Sequence, residues 1–156
     1  MSEFIAGVYR QRIQAVVEVG GDVQVDVTTH GGGRGAAGSY ITAVFGVQVM
    51  VTMFDLVAAQ SYVQGWLDPA DEWVFERLPG LAETSVVARP EARGPAVTVR
   101  AHGADEHRVQ FDQPGQAARV RIGGLTWQVL DRAAADPIRE AWRHVGRLAP
   151  VVFGAR

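Results

Sequence analysis

The strongest constraint on this chain is a pattern written twice. Val25-Asp26-Val27-Thr28-Thr29-His30-Gly31 is echoed by Val97-Thr98-Val99-Arg100-Ala101-His102-Gly103. Phe45-Gly46 leads to Asp55 as Ile122-Gly123 leads to Asp131. Counting from those aspartates, Ala58-Ala59 falls in register with Ala134-Ala135, and Trp66 with Trp142. Each copy then closes on a Val-Phe pair, Val74-Phe75 and Val152-Phe153. Two copies of one strand-rich unit, each ended by a helix, satisfy all of these matches. A period of roughly half the chain means two lobes of one domain rather than a solenoid.

Local periodicity fills in the elements. Val23, Val25 and Val27 alternate with Gln24, Asp26 and Thr28, the mark of a half-buried strand. Gly20-Gly21-Asp22 between strands at 9–19 and 23–29 signals a hairpin. Segments 39–46 and 47–54 read as two strands broken at Gly46, apolar on both faces and so central in their sheet. Asp55 is placed to cap a helix carrying Leu56, Ala59, Val63, Trp66 and Leu67 on one face, and Asp68-Pro69 stops it. In the second half, 97–101, 108–111, 118–122 and 125–130 read as strands. Asp136-Pro137 is the expected start of a last helix and Pro150 its expected end. Residues 79–95, rich in Pro, Gly, Ala and Arg, are the expected connection, with a short strand at 84–88.

The expected architecture is therefore α+β: two ββββα-like lobes in a single domain spanning 1–156, with antiparallel sheets each covered by a helix. Lobe one is expected at 4–78 and lobe two at 84–156. In layout this plan resembles the single-strand-binding folds of the Whirly and PUR groups, which pair curved four-stranded sheets with helices. The resemblance is one of layout, and no site residues come with it.

Composition narrows the chemistry. Of the 156 residues, 47% are hydrophobic and 21% charged, which fits a globular domain able to bury its own core. There is no cysteine, so thiolate metal sites, disulfides and Cys nucleophiles are excluded. All 15 basic residues are arginines, the signature of a GC-rich genome, and no lysine is present for a Schiff base or a phosphate loop. Charge is uneven: residues 1–83 hold four arginines against ten acids, and 84–156 hold eleven against seven. Such asymmetry points to polar self-association or to an anionic partner of the second half. The N-terminus shows no signal-peptide pattern, and 41–59 is too interrupted by polar residues to span a membrane, so a cytoplasmic protein without a membrane partner is expected.

Few motifs carry chemistry. Gly33-Arg34-Gly35-Ala36-Ala37-Gly38 matches a dinucleotide fingerprint, yet Tyr-Ile-Thr-Ala-Val-Phe follows where a phosphate-binding helix is required, so the glycines read as a loop. His102, Asp105 and His107 gather metal-capable groups within six residues. Their spacing fits a solvated hairpin turn better than a zinc signature. Strand alternation puts Arg119 and Arg121 on one face, with Arg108 and Arg100 on like faces of their own strands. If those faces align, four arginines form one surface suited to phosphates or an acidic protein.

No catalytic constellation and no cofactor motif stands out. The expected function is a non-enzymatic interaction or assembly module that self-associates or binds a protein partner. The alternative is a nucleic-acid-binding protein using Arg100, Arg108, Arg119 and Arg121. A small ligand- or metal-binding enzyme using His30, His102 and His107 comes last.

Overall fold

The computed structural model describes residues 14–31, 38–46, 49–82, 97–113 and 116–154. The glycine motif at 33–38, most of the connection at 79–95 and the strand expected at 84–88 lie wholly or largely outside them. The elements run β1 (Ala15–Val19), β2 (Val25–His30), β3 (Tyr40–Phe45), β4 (Val49–Met53), α1 (Leu56–Leu67), a 3-10 turn at Pro69–Asp71, α2 (Glu72–Glu76), β5 (Val97–Ala101), β6 (His107–Asp112), β7 (Ala117–Ile122), β8 (Leu125–Val129) and α3 (Arg132–Val152). They form two four-stranded, mostly antiparallel sheets with helices, an α+β fold.

The two halves exchange a strand. The first sheet has the order β2-β3-β4-β5 and the second β6-β7-β8-β1. In each, three consecutive strands pair antiparallel, and the fourth arrives from the other half and pairs parallel, β5 on β4 and β1 on β8. The expected β1–β2 hairpin therefore does not form. Residues 20–24 carry the chain from one sheet to the other, because parallel pairing with β8 buries Val17 and Val19 in the common core. It also changes the partner of β5. Val97–Ala101 occupies in its sheet the place that Ala15–Val19, not Val25–His30, occupies in the other.

The matches at the turn glycines, helix caps, alanine pairs and tryptophans recur in three dimensions, whereas Val74-Phe75 is buried in α2 and Val152-Phe153 lies half-buried at the end of α3. Gly46 and Gly123 each turn a hairpin at φ +58° and donate to a carbonyl of the preceding edge, that of Gln24 at 2.7 Å and Glu106 at 3.1 Å. Asp55 and Asp131 are both extended N-caps, accepting from Ala58 and Ala134 at 2.7 and 2.9 Å. Ala58, Ala59, Ala134, Ala135, Trp66 and Trp142 are all fully buried. Alanines at these positions let the first turn of each helix lie close on a sheet.

Each helix covers the sheet supplied mainly by the other half. α1 lies on β6 and β7, α3 on β2 and β3, and the two helices pack on each other. The inward faces meet around Trp127, edge-on to both Phe45 at 5.0 Å and Trp66 at 5.3 Å. A buried aromatic ring of this kind removes roughly 150–250 Å² from water.

The last helix starts earlier and ends later than Asp136-Pro137 and Pro150 indicate. Asp131 takes the cap, so Pro137 and Pro150 lie inside α3, and the chain leaves the helix at Phe153 and at Gly154, which turns at φ +68°. No helix of the described residues is long and apolar enough to cross a membrane.

Candidate functional site

With both helices on the inner side, alternation sends the remaining side chains of each sheet outward. On the second sheet Val109, Val120 and Trp127 point in, and Arg108, Gln110, Arg119, Arg121, Thr126, Gln128, Val16 and Glu18 point out. Three of the four arginines expected together are together here. Arg108 stands directly opposite Arg121, and Arg119 opposite Gln110. With Val16 and Thr126 they line a groove of about 290 Å³. Arg100 is absent from it. It belongs to β5 and so projects from the outer face of the first sheet.

The electrostatics of the groove are unbalanced. Like charges directly opposite across antiparallel strands repel, typically by a few tenths to about 1 kcal/mol. Arg119 is drawn to Asp112 at 3.5 Å. With the Gln110 amide turned so that its oxygen faces Arg108, that oxygen accepts from the Arg108 Nε at 3.0 Å and from a terminal nitrogen at 2.9 Å. Among the described residues no carboxylate pairs with Arg108 or Arg121. The register thus sets two arginines directly opposite one another with no carboxylate partner among the described residues, an arrangement that a bound anion would relieve.

The outer face of the first sheet carries a feature that strand alternation alone did not reveal. His30, Tyr40, Phe54 and His102 stand in one row across all four strands. His30 stacks on Tyr40 at 4.5 Å, Tyr40 leans on Phe54 at 5.7 Å, and Phe54 stacks on His102 at 4.6 Å. Arg100 lies over Phe54 at 4.9 Å. The next row is Thr28, Thr42, Thr52 and Arg100, with Thr42 and Thr52 sharing a hydrogen bond at 3.3 Å. His30 and His102, matched in the sequence, are therefore not corresponding residues. They are the two ends of one row. Finding it from the sequence requires the cross-strand register, which places residues 30, 40, 54 and 102 side by side.

The metal-capable trio His102, Asp105 and His107 is not brought together as one ligand group among the described residues. His102 is engaged with Phe54. The Asp105 amide donates to Ser61 Oγ at 3.1 Å, and its carboxylate lies where a Cβ on Gly123 would meet it at 3.2 Å. Burial holds the Asp105 carboxyl above its ordinary range. His107 turns instead toward the end of α1, where its Nε2 is 3.9 Å from Asp68 and donor atoms of Asp68, Asp71 and His107 all lie within 4.8 Å of one another. The Asp71 carboxyl is pushed up by desolvation and by the Asp68 charge, with His107 opposing. His144 lines a second groove between β2 and α3 with Val25, Val27, Pro137, Glu140, Ala141 and Arg147.

No protein-family model matches the chain, and no match is found among curated proteins or solved structures.

Proposed function

We propose that the protein is a non-enzymatic binding module that acts in the cytoplasm and takes a nucleic-acid strand on the outer face of its second sheet. The observation that carries this reading is the opposed pair Arg108 and Arg121, flanked by Arg119, on a sheet face open to solvent. Phosphate contacts from Arg give affinity without sequence choice and make it steeply dependent on salt. Arg100 and the ring row form a separate surface of the first sheet. In the same reading the two ββββα units are copies of one ancestral unit whose cores agree and whose outer faces have diverged.

The test is fluorescence anisotropy with single- and double-stranded oligonucleotides at low salt, followed by a salt titration. Binding is expected to weaken with a log–log slope of about −2, as for three neutralised phosphates on a single strand. Arg108→Gln, Arg119→Gln and Arg121→Gln together are expected to abolish it. Absence of binding to both forms at low salt rejects the reading.

Self-association is the second reading, favoured by one observation. β1 is an edge of the second sheet, and Val16 on it is 68% exposed. An open Val-rich edge is a template for pairing with another chain. Light scattering with the wild type and Val16→Glu distinguishes the two readings. A dimer dissolved by the substitution supports edge pairing, and a monomer at all concentrations removes it.

A further inference from the structure

Asp68, Asp71 and His107 come from two distant stretches of chain. The aspartates bracket the 3-10 turn where α1 breaks at Pro69, and His107 opens β6. One oxygen of Asp68 is engaged in capping that turn, accepting from the Ala70 amide at 3.0 Å. Its other oxygen faces the imidazole Nε2. All three side chains are half-buried, so water reaches the cluster from one side.

The other half of the molecule shows what this corner needs structurally. Val25 opens β2 opposite Phe45 as His107 opens β6 opposite Ile122. Counting from the caps Asp55 and Asp131, His144 and Arg147 stand on α3 where Asp68 and Asp71 stand after α1. Val25, His144 and Arg147 indeed lie together, lining one groove. The same junction of helix and strand is thus built once with a valine, a histidine and an arginine, and once with two carboxylates and a histidine. Packing does not dictate the acidic set. The chain also breaks its helix at this corner and not at the other, where α3 continues to Val152.

We propose that Asp68, Asp71 and His107 bind a single divalent transition-metal ion, Zn²⁺ in the first instance, with water completing the coordination. One imidazole and two carboxylates form a mixed nitrogen and oxygen set. It suits zinc and its neighbours better than calcium or magnesium, which take all-oxygen shells. Bonds near 2.0–2.1 Å place zinc ligands roughly 3.3 Å apart, so the donors must draw together by about 1.5 Å at most. Half-exposed side chains at the end of a helix have the freedom to do so. The bound ion would tie the end of α1 to β6, one half of the chain to the other. This inference stands apart from the arginine groove and does not depend on it.

Chelator-treated protein is titrated with ZnCl₂ by calorimetry, and its melting temperature is followed with and without the ion. One ion per chain is expected, with a raised melting temperature. A hundredfold excess of Ca²⁺ should not displace it. Asp71→Asn and His107→Gln should each weaken binding at least tenfold, and His102→Gln should leave it unchanged. Asp71→Asn leaves the Asp68 cap intact, and its circular dichroism spectrum should match the wild type. Failure to saturate at one ion per chain overturns the proposal. So does unchanged binding in both Asp71→Asn and His107→Gln, or loss of binding in His102→Gln.

Discussion

Asp131 accepts the backbone N–H of Gly21 with both carboxylate oxygens, at 3.0 and 2.9 Å, across 110 residues of sequence. The same carboxylate caps α3 through Ala134 and takes the Ala82 amide at 2.9 Å, and it is wholly buried. Asp55 does the corresponding task, capping α1 and accepting from Gly103 at 2.8 Å. Each aspartate thus pins the start of a helix to the exit of the strand that has crossed from the other half. The strand exchange and the helix caps are one device, used twice.

Asp131→Ala is expected to be the most damaging of the cap substitutions. It leaves the N–H groups of Gly21, Ala82 and Ala134 without their acceptor in a buried place, a loss of about 3 kcal/mol, on the order of 10 °C in Tm for a domain of this size. Asp55→Ala, in a half-exposed site with two donors, should cost only about 1–2 kcal/mol. Urea unfolding of the two variants side by side measures the difference. Equal losses would show that burial does not set the strength of these caps.

Much of this was legible in the sequence. The Asp-to-Trp spacing, the turn glycines and the alternation of apolar residues located the helices, most strands and the α+β class, because each of those signals is local. What failed was non-local. Gly20-Gly21-Asp22 reads as a hairpin from its neighbours alone, but β1 gains more by pairing parallel with β8, a choice fixed by the inner face of a sheet more than 100 residues away. The arginine face was three-quarters readable because alternation holds within one sheet, and Arg100 departed with β5. Asp136-Pro137 offered a sound helix start, and Asp131 displaced it with three backbone partners. In sequence His107 stands beside His102 and Asp105, while its spatial neighbours are Asp68 and Asp71.

The opposed arginines make a prediction about stability as well as binding. Arg121→Gln removes a guanidinium facing Arg108 on an exposed strand position. The variant should be more stable than the wild type by a few tenths of a kcal/mol, with the gain shrinking as salt is added. A stability gain coupled to loss of anion binding marks a site kept for its ligand. A loss of stability would mean that packing of the long side chain outweighs the repulsion.

Gly65 sits inside α1, where replacement by alanine ordinarily stabilises a helix by about 1 kcal/mol. Here a Cβ would stand 2.7 Å from Ile122 Cδ1 and 3.2 Å from His107 Cβ. Gly65→Ala should therefore destabilise, because the helix must lift from β6 and β7 or Ile122 must leave its rotamer. The sign of the change in denaturation midpoint decides between propensity and close approach.

The three buried tryptophans carry an unusual liability. The indole N–H groups of Trp66, Trp127 and Trp142 are buried without a hydrogen-bond partner among the described residues. Trp127→Phe discards one such donor while keeping an aromatic ring edge-on to Phe45 and Trp66. The expected loss is about 1–2 kcal/mol, well below the 3–5 kcal/mol of Trp→Ala in a core, since the cavity is partly offset by the donor removed. Trp127→Ala in the same urea series supplies the comparison.

Alkaline stability isolates Tyr62. Its phenol is buried, and desolvation, aided by the Asp105 charge, raises its pKa far above the ordinary 10. The unfolded chain then binds fewer protons than the folded one above pH 10. The stability contributed by keeping the phenol neutral is whole below pH 10 and falls as pH rises beyond it. The chain has neither lysine nor cysteine, so in the unfolded chain tyrosine is the side-chain type that loses its proton near pH 10. Thermal melts between pH 8 and 11 should show Tm dropping beyond pH 10 in the wild type, with a shallower fall in Tyr62→Phe. Identical slopes in the two proteins would place the alkaline transition elsewhere in the molecule.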